Sequence, residues 1–391
     1  MRGAYKESYS FDNSPFRIKL TPDKLTRRKK TPMTRDTNEI ELIKEELVKR
    51  TSPTLTIYDI DANAELVHDI LALKKKHNVL MLGHNYMEPL VFGLSDENEK
   101  GDSLGLSMSA SKTDSEYIIF NGVPFMAETA KILNMSKRVF VADKTAGCSL
   151  ADEFTPEDVL RLKELNPGVP VMTYINTYAD VKAECDVCCT SANAQDIAMR
   201  MPGDSIIFVP DIYFAQNLKE ELGDKKKIIY PNGNGDGVKG AICEVHEMFT
   251  LEDITLVRDS FGIEKENPDG MIYVHWECKP EVLREADFFG STTQIRKDIA
   301  QRVSEGSLKK AFIASECELT SNLMQEFPTV EFWTACYVRC QHMAKVTLKG
   351  IHDVLLAIDS GSDLSEYEIL IDAEVAKRAN RSINKMMELS V

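Results

Sequence analysis

Three cysteines, Cys148, Cys243 and Cys340, stand 95 and 97 residues apart in the polar loops TAGCS, GAICE and VRCQH. Such even long spacing points to three similar units, each delivering one thiolate to a shared centre. Thiolates are the usual ligands of iron–sulfur clusters. Three thiolates around four irons leave one iron without a protein ligand, open to act as a Lewis acid.

Polar residues recur at the ends of three apolar runs: VLMLGHNY (79–86), VPVMTYIN (169–176) and GMIYVHWE (270–277). His84 and Tyr86 form an acid/base and orienting pair. Tyr174 and Asn176 offer a hydroxyl and an amide suited to carbonyl or carboxylate oxygens. His275 and Glu277, two apart, can move a proton. Downstream, Ser103, Ser191 and the pair Ser291-Thr292 each stand where a helix is expected to begin. There a hydroxyl and unpaired backbone N–H groups favour an anion such as a carboxylate or phosphate.

The remaining cysteines read differently. Cys185, Cys188 and Cys189 have a CxxC spacing, but no second pair or nearby histidine completes a zinc site. With Cys188-Cys189 in an apolar strand, they are expected to be core thiols. Cys278 and Cys317 are expected to pack. Cys336, four residues before Cys340, is a competing ligand for the third corner.

These groups need rigid elements beneath them. Apolar strands alternate with amphipathic helices at a repeat of about a hundred residues, which predicts α/β units with parallel sheets and working residues at the strands' carboxyl ends. The expected architecture is three pseudo-symmetric αβα sandwich domains around one site, at 61–150, 151–246 and 247–343. The tail 344–391 is expected to pack back on the first. Helices are expected at Thr37–Arg50, capped by Thr37, and at 61–77, capped by Asp61 or Asn63, followed by a strand at 78–82. Residues 1–60 read as an N-terminal extension, partly disordered. Residues 1–36 hold ten Lys/Arg against four Asp/Glu, while the whole chain carries −15. That balance argues against nucleic acid as a partner. No apolar run is long enough for a membrane span and no secretory signal is read, so a reduced, cytoplasmic protein is expected.

Taken together, HNYMEP, GDSLGLSMSA, NGVPFMAETAKIL, ADKTAGCSLAD, YINTYADVKAECD, CTSANA, GAICEVHE, HWEC and ADFFGST closely resemble the quinolinate synthase (NadA) family over about Leu66 to Leu356. The resemblance implies a [4Fe-4S] cluster held by Cys148, Cys243 and Cys340, with one open iron. It implies condensation of iminoaspartate with dihydroxyacetone phosphate to quinolinate, releasing phosphate and water, in NAD biosynthesis. A hand-over from an iminoaspartate-producing enzyme is a further implication. By the same resemblance, His84, Ser103, Tyr174, Asn176, Ser191, His275, Glu277, Ser291 and Thr292 contact substrate. Tyr86, Glu277, His84 and Tyr174 are the catalytic candidates, with Tyr86 and Glu277 moving protons. Where the family reads HPEC this chain has Trp276 in place of the proline, which bears on the aim of Glu277. The rival readings are another cluster-dependent hydro-lyase and a non-catalytic iron–sulfur sensor.

Overall fold

The computed structural model describes residues 35–50, 57–233, 237–265, 269–335 and 337–390. Among the described residues, twelve short strands form three four-stranded sheets. The first holds β1 (Leu80–His84), β2 (Lys100–Gly101), β3 (Tyr117–Asn121) and β4 (Arg138–Phe140). The second holds β5 (Val171–Tyr174), β6 (Val187–Cys189), β7 (Ser205–Val209) and β8 (Lys227–Ile229). The third holds β9 (Gly270–His275), β10 (Phe288–Gly290), β11 (Lys310–Ala314) and β12 (Glu331–Trp333). Every pairing is parallel, and each sheet has the same order: second strand, first, third, fourth. The αβα class expected from the alternation is the one observed. Helices cover both faces of such a sheet, so its central strands must be apolar throughout. All six residues of β9 are buried accordingly.

Several boundaries differ from the sequence reading. The second helix runs Ile57–Lys76, so Asp61 and Asn63 lie inside it and cap nothing. Asn78 then takes a left-handed conformation (φ +48°), and the strand begins only at Leu80. The helix Thr37–Arg50 appears at its expected bounds, with Thr37 as its first residue, and lays Ile43 and Leu47 into the core. Residues 1–34 of the basic arm, and Cys336, lie outside the described residues.

The tail does not pack on the first unit alone. Helix Leu348–Ser360 lies against Ile57–Lys76, and residues 367–369 hydrogen-bond to the edge strand β4. Helix Ala373–Leu389 then crosses to the second unit, against Ala179–Glu184 and β6. Its buried face (Ala376, Ala379, Ser382, Ile383 and Met386) has the spacing of one helical side, and that side finds its partners there. Among the described residues no helix is long and apolar enough to cross a membrane.

Candidate active site

The three sheets aim equivalent strand ends at one cavity. His84 pairs with Gly101, Tyr174 with Cys189 and His275 with Gly290. Two residues past each central strand stand Tyr86, Asn176 and Glu277. Two past each neighbouring strand stand Ser103, Ser191 and Thr292. All of these, with His84, Tyr174 and His275, line the cavity.

That register corrects the grouping of Ser291 with Ser103 and Ser191. Thr292 is the equivalent residue. Ser291 occupies the capping position one earlier, as Asp102 does in the first repeat. Its hydroxyl accepts from the Gln294 N–H (3.2 Å) while Gln294 Oε1 accepts from the Ser291 N–H (2.8 Å). The Ser291 side chain is thus committed to the helix start and is fully buried. Ser103 is the first residue of its helix, and Asp102 caps it by accepting from Gly105 N–H (3.0 Å).

The three cysteine loops each follow the edge strand of a sheet and share a local plan. Seven residues past Cys148, Cys243 and Cys340 stand Thr155, Thr250 and Thr347, the side-chain caps of helices Pro156–Leu165, Leu251–Phe261 and Leu348–Ser360. The caps fix where each loop must end. The loops also brace one another. Ser149 Oγ donates to the Ile242 carbonyl (3.1 Å) and accepts from Glu244 N–H (3.3 Å). Glu244 meets His342 at 3.3 Å, and Lys345 Nζ donates to the Thr145 carbonyl at 2.7 Å. The first loop thus touches the second, the second the third, and the third the first.

All three thiols line the same cavity. Burial drives each above its usual range, and Cys340 is pushed up to about 11. Cys148 and Cys340 disfavour each other's company as anions, as do Cys243 and Cys148. Three such thiolates crowded around one cavity favour a cation between them. The donor set therefore fits a metal centre. Among the described residues, Cys243, His246 and Glu277 also bring one ligand atom each within 4.8 Å of one another.

A chain of hydrogen bonds runs beside the thiols. Tyr86 Oη lies 2.8 Å from Ser315 Oγ, which lies 3.1 Å from His246 Nε2. His246 Nδ1 lies 2.9 Å from Glu277 Oε2 and 3.1 Å from Cys243 Sγ. Tyr174 donates to Glu277 Oε1 at 2.5 Å. Burial alone would raise the Glu277 carboxyl, but His246, His275 and the Tyr174 hydroxyl overcome it and hold the group ionised well below the usual range. Burial pushes His84 down to about 4 and His275 to about 3, so both imidazoles are neutral at pH 7. The phenols of Tyr86 and Tyr174 are driven up by burial and by the Glu277 charge, and keep their protons.

Trp276 does not misdirect Glu277. Its indole packs between Phe214 (5.4 Å) and Phe289 (4.9 Å), and its carbonyl accepts from Asn217 Nδ2 at 2.8 Å. The chain turns there and sends Glu277 inward.

Sequence reasoning missed four residues of this neighbourhood. His246 stands three after Cys243, a spacing that could have revealed it. Ser315 and Glu316 follow β11. Glu316 lines the cavity and accepts from Cys340 N–H (3.2 Å), and burial pushes its carboxyl up to about 8. Asp102 caps the helix behind Ser103. Cys188 and Cys189 are fully buried, Cys185 nearly so, and Cys278 donates to the Ala314 carbonyl (3.4 Å), as core thiols should. Cys317 is only half-buried.

The family model described as "Quinolinate synthetase A protein" (NadA) matches residues 68–388. The "Quinolinate synthase" of Xylella fastidiosa is 37% identical over 324 residues, 83% of this chain and 87% of that protein. That of Sinorhizobium medicae is 38% identical over 345 residues, 88% of each chain. That of Caulobacter vibrioides is 37% identical over 358 residues, 90% of this chain and 89% of that one.

Proposed function

The chain belongs to the quinolinate synthase family, and we propose that its central cavity condenses iminoaspartate with dihydroxyacetone phosphate to quinolinate, with loss of phosphate and water. The observation that carries this reading is the convergence of three thiols, from equivalent loops of three repeats, on the cavity that gathers His84, Tyr86, Tyr174, His275 and Glu277.

Cys148, Cys243 and Cys340 would hold a [4Fe-4S] cluster through one thiolate each. When bound, the cluster supplies an iron without a protein ligand, a Lewis acid toward substrate oxygen. The protein's residues do the rest. Ser103, Ser191 and Thr292 offer three hydroxyls to the phosphate and then to the two carboxylates. Tyr174 and Asn176 orient carbonyl oxygens. Glu277, held ionised, takes a proton from carbon or nitrogen as the backbone of the product is assembled. Tyr86, held protonated, gives one to a leaving oxygen. His84 and His275 are neutral and fix the pose. The apolar wall of Val123, Phe125 and Met126 keeps water from the imine.

Three uncrosslinked thiols suit a reducing cytoplasm, and an enzyme that makes iminoaspartate must supply it. The test is anaerobic purification with iron and sulfide analysis, a visible spectrum, and a quinolinate assay. Iron-free protein that makes no quinolinate under those conditions, or protein that only hydrates fumarate, would overturn the reading.

A further inference from the structure

The last helix crosses from the first unit to the second and ends beside a turn that lines the cavity. The residues Thr190–Asn193 form that turn, and Thr190 and Ser191 both line the cavity. Asn193 closes it: its Oδ1 accepts from Thr190 N–H (2.6 Å) and from Thr190 Oγ (3.2 Å). The same bond holds the equivalent turn of the third repeat, where Ser291 N–H donates to Gln294 Oε1. The two turns differ in what holds the amide's other end. Gln294 Nε2 reaches the Ala192 carbonyl (3.4 Å), in the Ser191 turn itself. Asn193 Nδ2 donates instead to Ser390 Oγ (2.8 Å), at the end of the last helix, and Ser390 Oγ donates back to the Met386 carbonyl (2.7 Å). Asn193 is buried, so its amide has few other partners in reach, whereas Ser390 is exposed.

The helix that carries Ser390 is itself well anchored. Ser382 Oγ donates to the Lys182 carbonyl (2.9 Å), Arg378 pairs with Glu184, and Arg200 donates to the Leu389 carbonyl. These contacts hold it against the second unit along its length and place its end beside the turn.

We propose that the C-terminal helix is a positioning element for substrate binding: Ser390, through Asn193, holds the Ser191 turn in the conformation that presents its hydroxyl to an anionic group of the substrate. This rests on the assignment of Ser191 to substrate under Proposed function. Ser390 touches nothing that reacts, so its effect belongs in KM and not in kcat.

The experiment uses the full-length, cluster-loaded enzyme and dihydroxyacetone phosphate and iminoaspartate as the varied substrates. Ser390 is exposed, so Ser390→Ala should leave the fold intact. The substitution should raise KM for one substrate roughly three- to tenfold, the scale of one neutral hydrogen bond, with kcat, iron content and melting temperature unchanged. Ser390→Thr should restore KM. Asn193→Ala should raise KM further. Combined with Ser191→Ala, Ser390→Ala should add nothing, because the hydroxyl it positions is gone. A wild-type KM in Ser390→Ala and Asn193→Ala, with KM raised in Ser191→Ala, overturns the positioning role and leaves the site assignment standing. Additive effects in the double variant overturn it as well, by showing that Ser390 does not act through Ser191. A wild-type KM in Ser191→Ala overturns both readings.

Discussion

The phenol of Tyr86 lies 2.8 Å from the hydroxyl of Ser315, although the two residues belong to the first and third repeats. From Ser315 the contacts continue through His246 to Glu277, so the acid and the base proposed for the reaction share one hydrogen-bonded chain. Tyr86→Phe and Glu277→Gln should each keep the cluster spectrum and lose roughly 10²-fold in turnover, the usual size of a lost acid or base. Ser315→Ala should lose less, on the order of tenfold, and Ser315→Thr should recover most of it. A Ser315→Ala enzyme with wild-type turnover would show that the chain carries no proton.

Gly147 immediately precedes Cys148 and has no room for a side chain. A Cβ there would collide with Asp152 Oδ2. That oxygen accepts from Cys148 N–H (3.1 Å), and Asp152 Oδ1 accepts from the Tyr178 hydroxyl (2.6 Å). Gly147→Ala must therefore push Asp152 away and release the Cys148 backbone. The expected result is a folded protein with a wild-type far-ultraviolet spectrum that loses iron to a chelator several times faster. Iron release at the wild-type rate would mean that Asp152 does not hold this loop.

How much of this was legible depends on the kind of signal. The strand ends and the three cysteine loops could be read because apolar runs followed by polar clusters repeat with nearly constant spacing. The choice between Ser291 and Thr292 could not. One residue decides it, and only the pairing of His275 with Gly290 fixes the count. Ser315 and Glu316 were invisible for another reason. They matter through contacts with residues 229 and 24 positions away, which no local pattern announces. The last helix showed its amphipathic face in the sequence, but a buried face does not say which unit it meets. The threonine seven residues past each site cysteine is a local signal, legible in the sequence itself.

Glu368 ties the tail to the first sheet and supplies a pH signature. Its carboxylate is paired with Arg138, Nε to Oε1 at 3.0 Å, beside the bridge from Phe140 to Glu368. The guanidinium holds the Glu368 carboxyl below the usual carboxylate range. A carboxyl depressed by folding stabilises the protein above its unfolded pKa of about 4.3, and loses that contribution as pH falls through the folded value. Arg138 is more than a third exposed, so solvent screening limits the pair to about 1 kcal/mol or less. Glu368→Gln should melt slightly below wild type at pH 7, and the difference should vanish as the pH falls below about 4. A gap that persists or widens in acid would assign the effect to something other than this charge.

The threonine caps support Cys340, and not Cys336, as the proposed third cluster ligand. Cys148 precedes Thr155, Cys243 precedes Thr250 and Cys340 precedes Thr347, each by seven residues, and each threonine starts a helix. The residue seven past Cys336 is Met343, within the short turn of helix Met343–Lys345, which caps nothing. Cys340 also has the backing of Glu316 through its backbone N–H, and faces the cavity with the other two. Replacing Cys148, Cys243 or Cys340 by Ala should each abolish iron binding and quinolinate formation, since a cluster corner without its thiolate has no equivalent donor at that place. Ala at Cys185, Cys188, Cys189 or Cys278 should keep the cluster and cost only core packing, because these thiols are buried and do not line the cavity. Single replacements purified without oxygen and analysed for iron and sulfide decide the matter. If Cys336→Ala lost the cluster while Cys340→Ala kept it, the cap spacing would be a coincidence and the third corner would belong to Cys336.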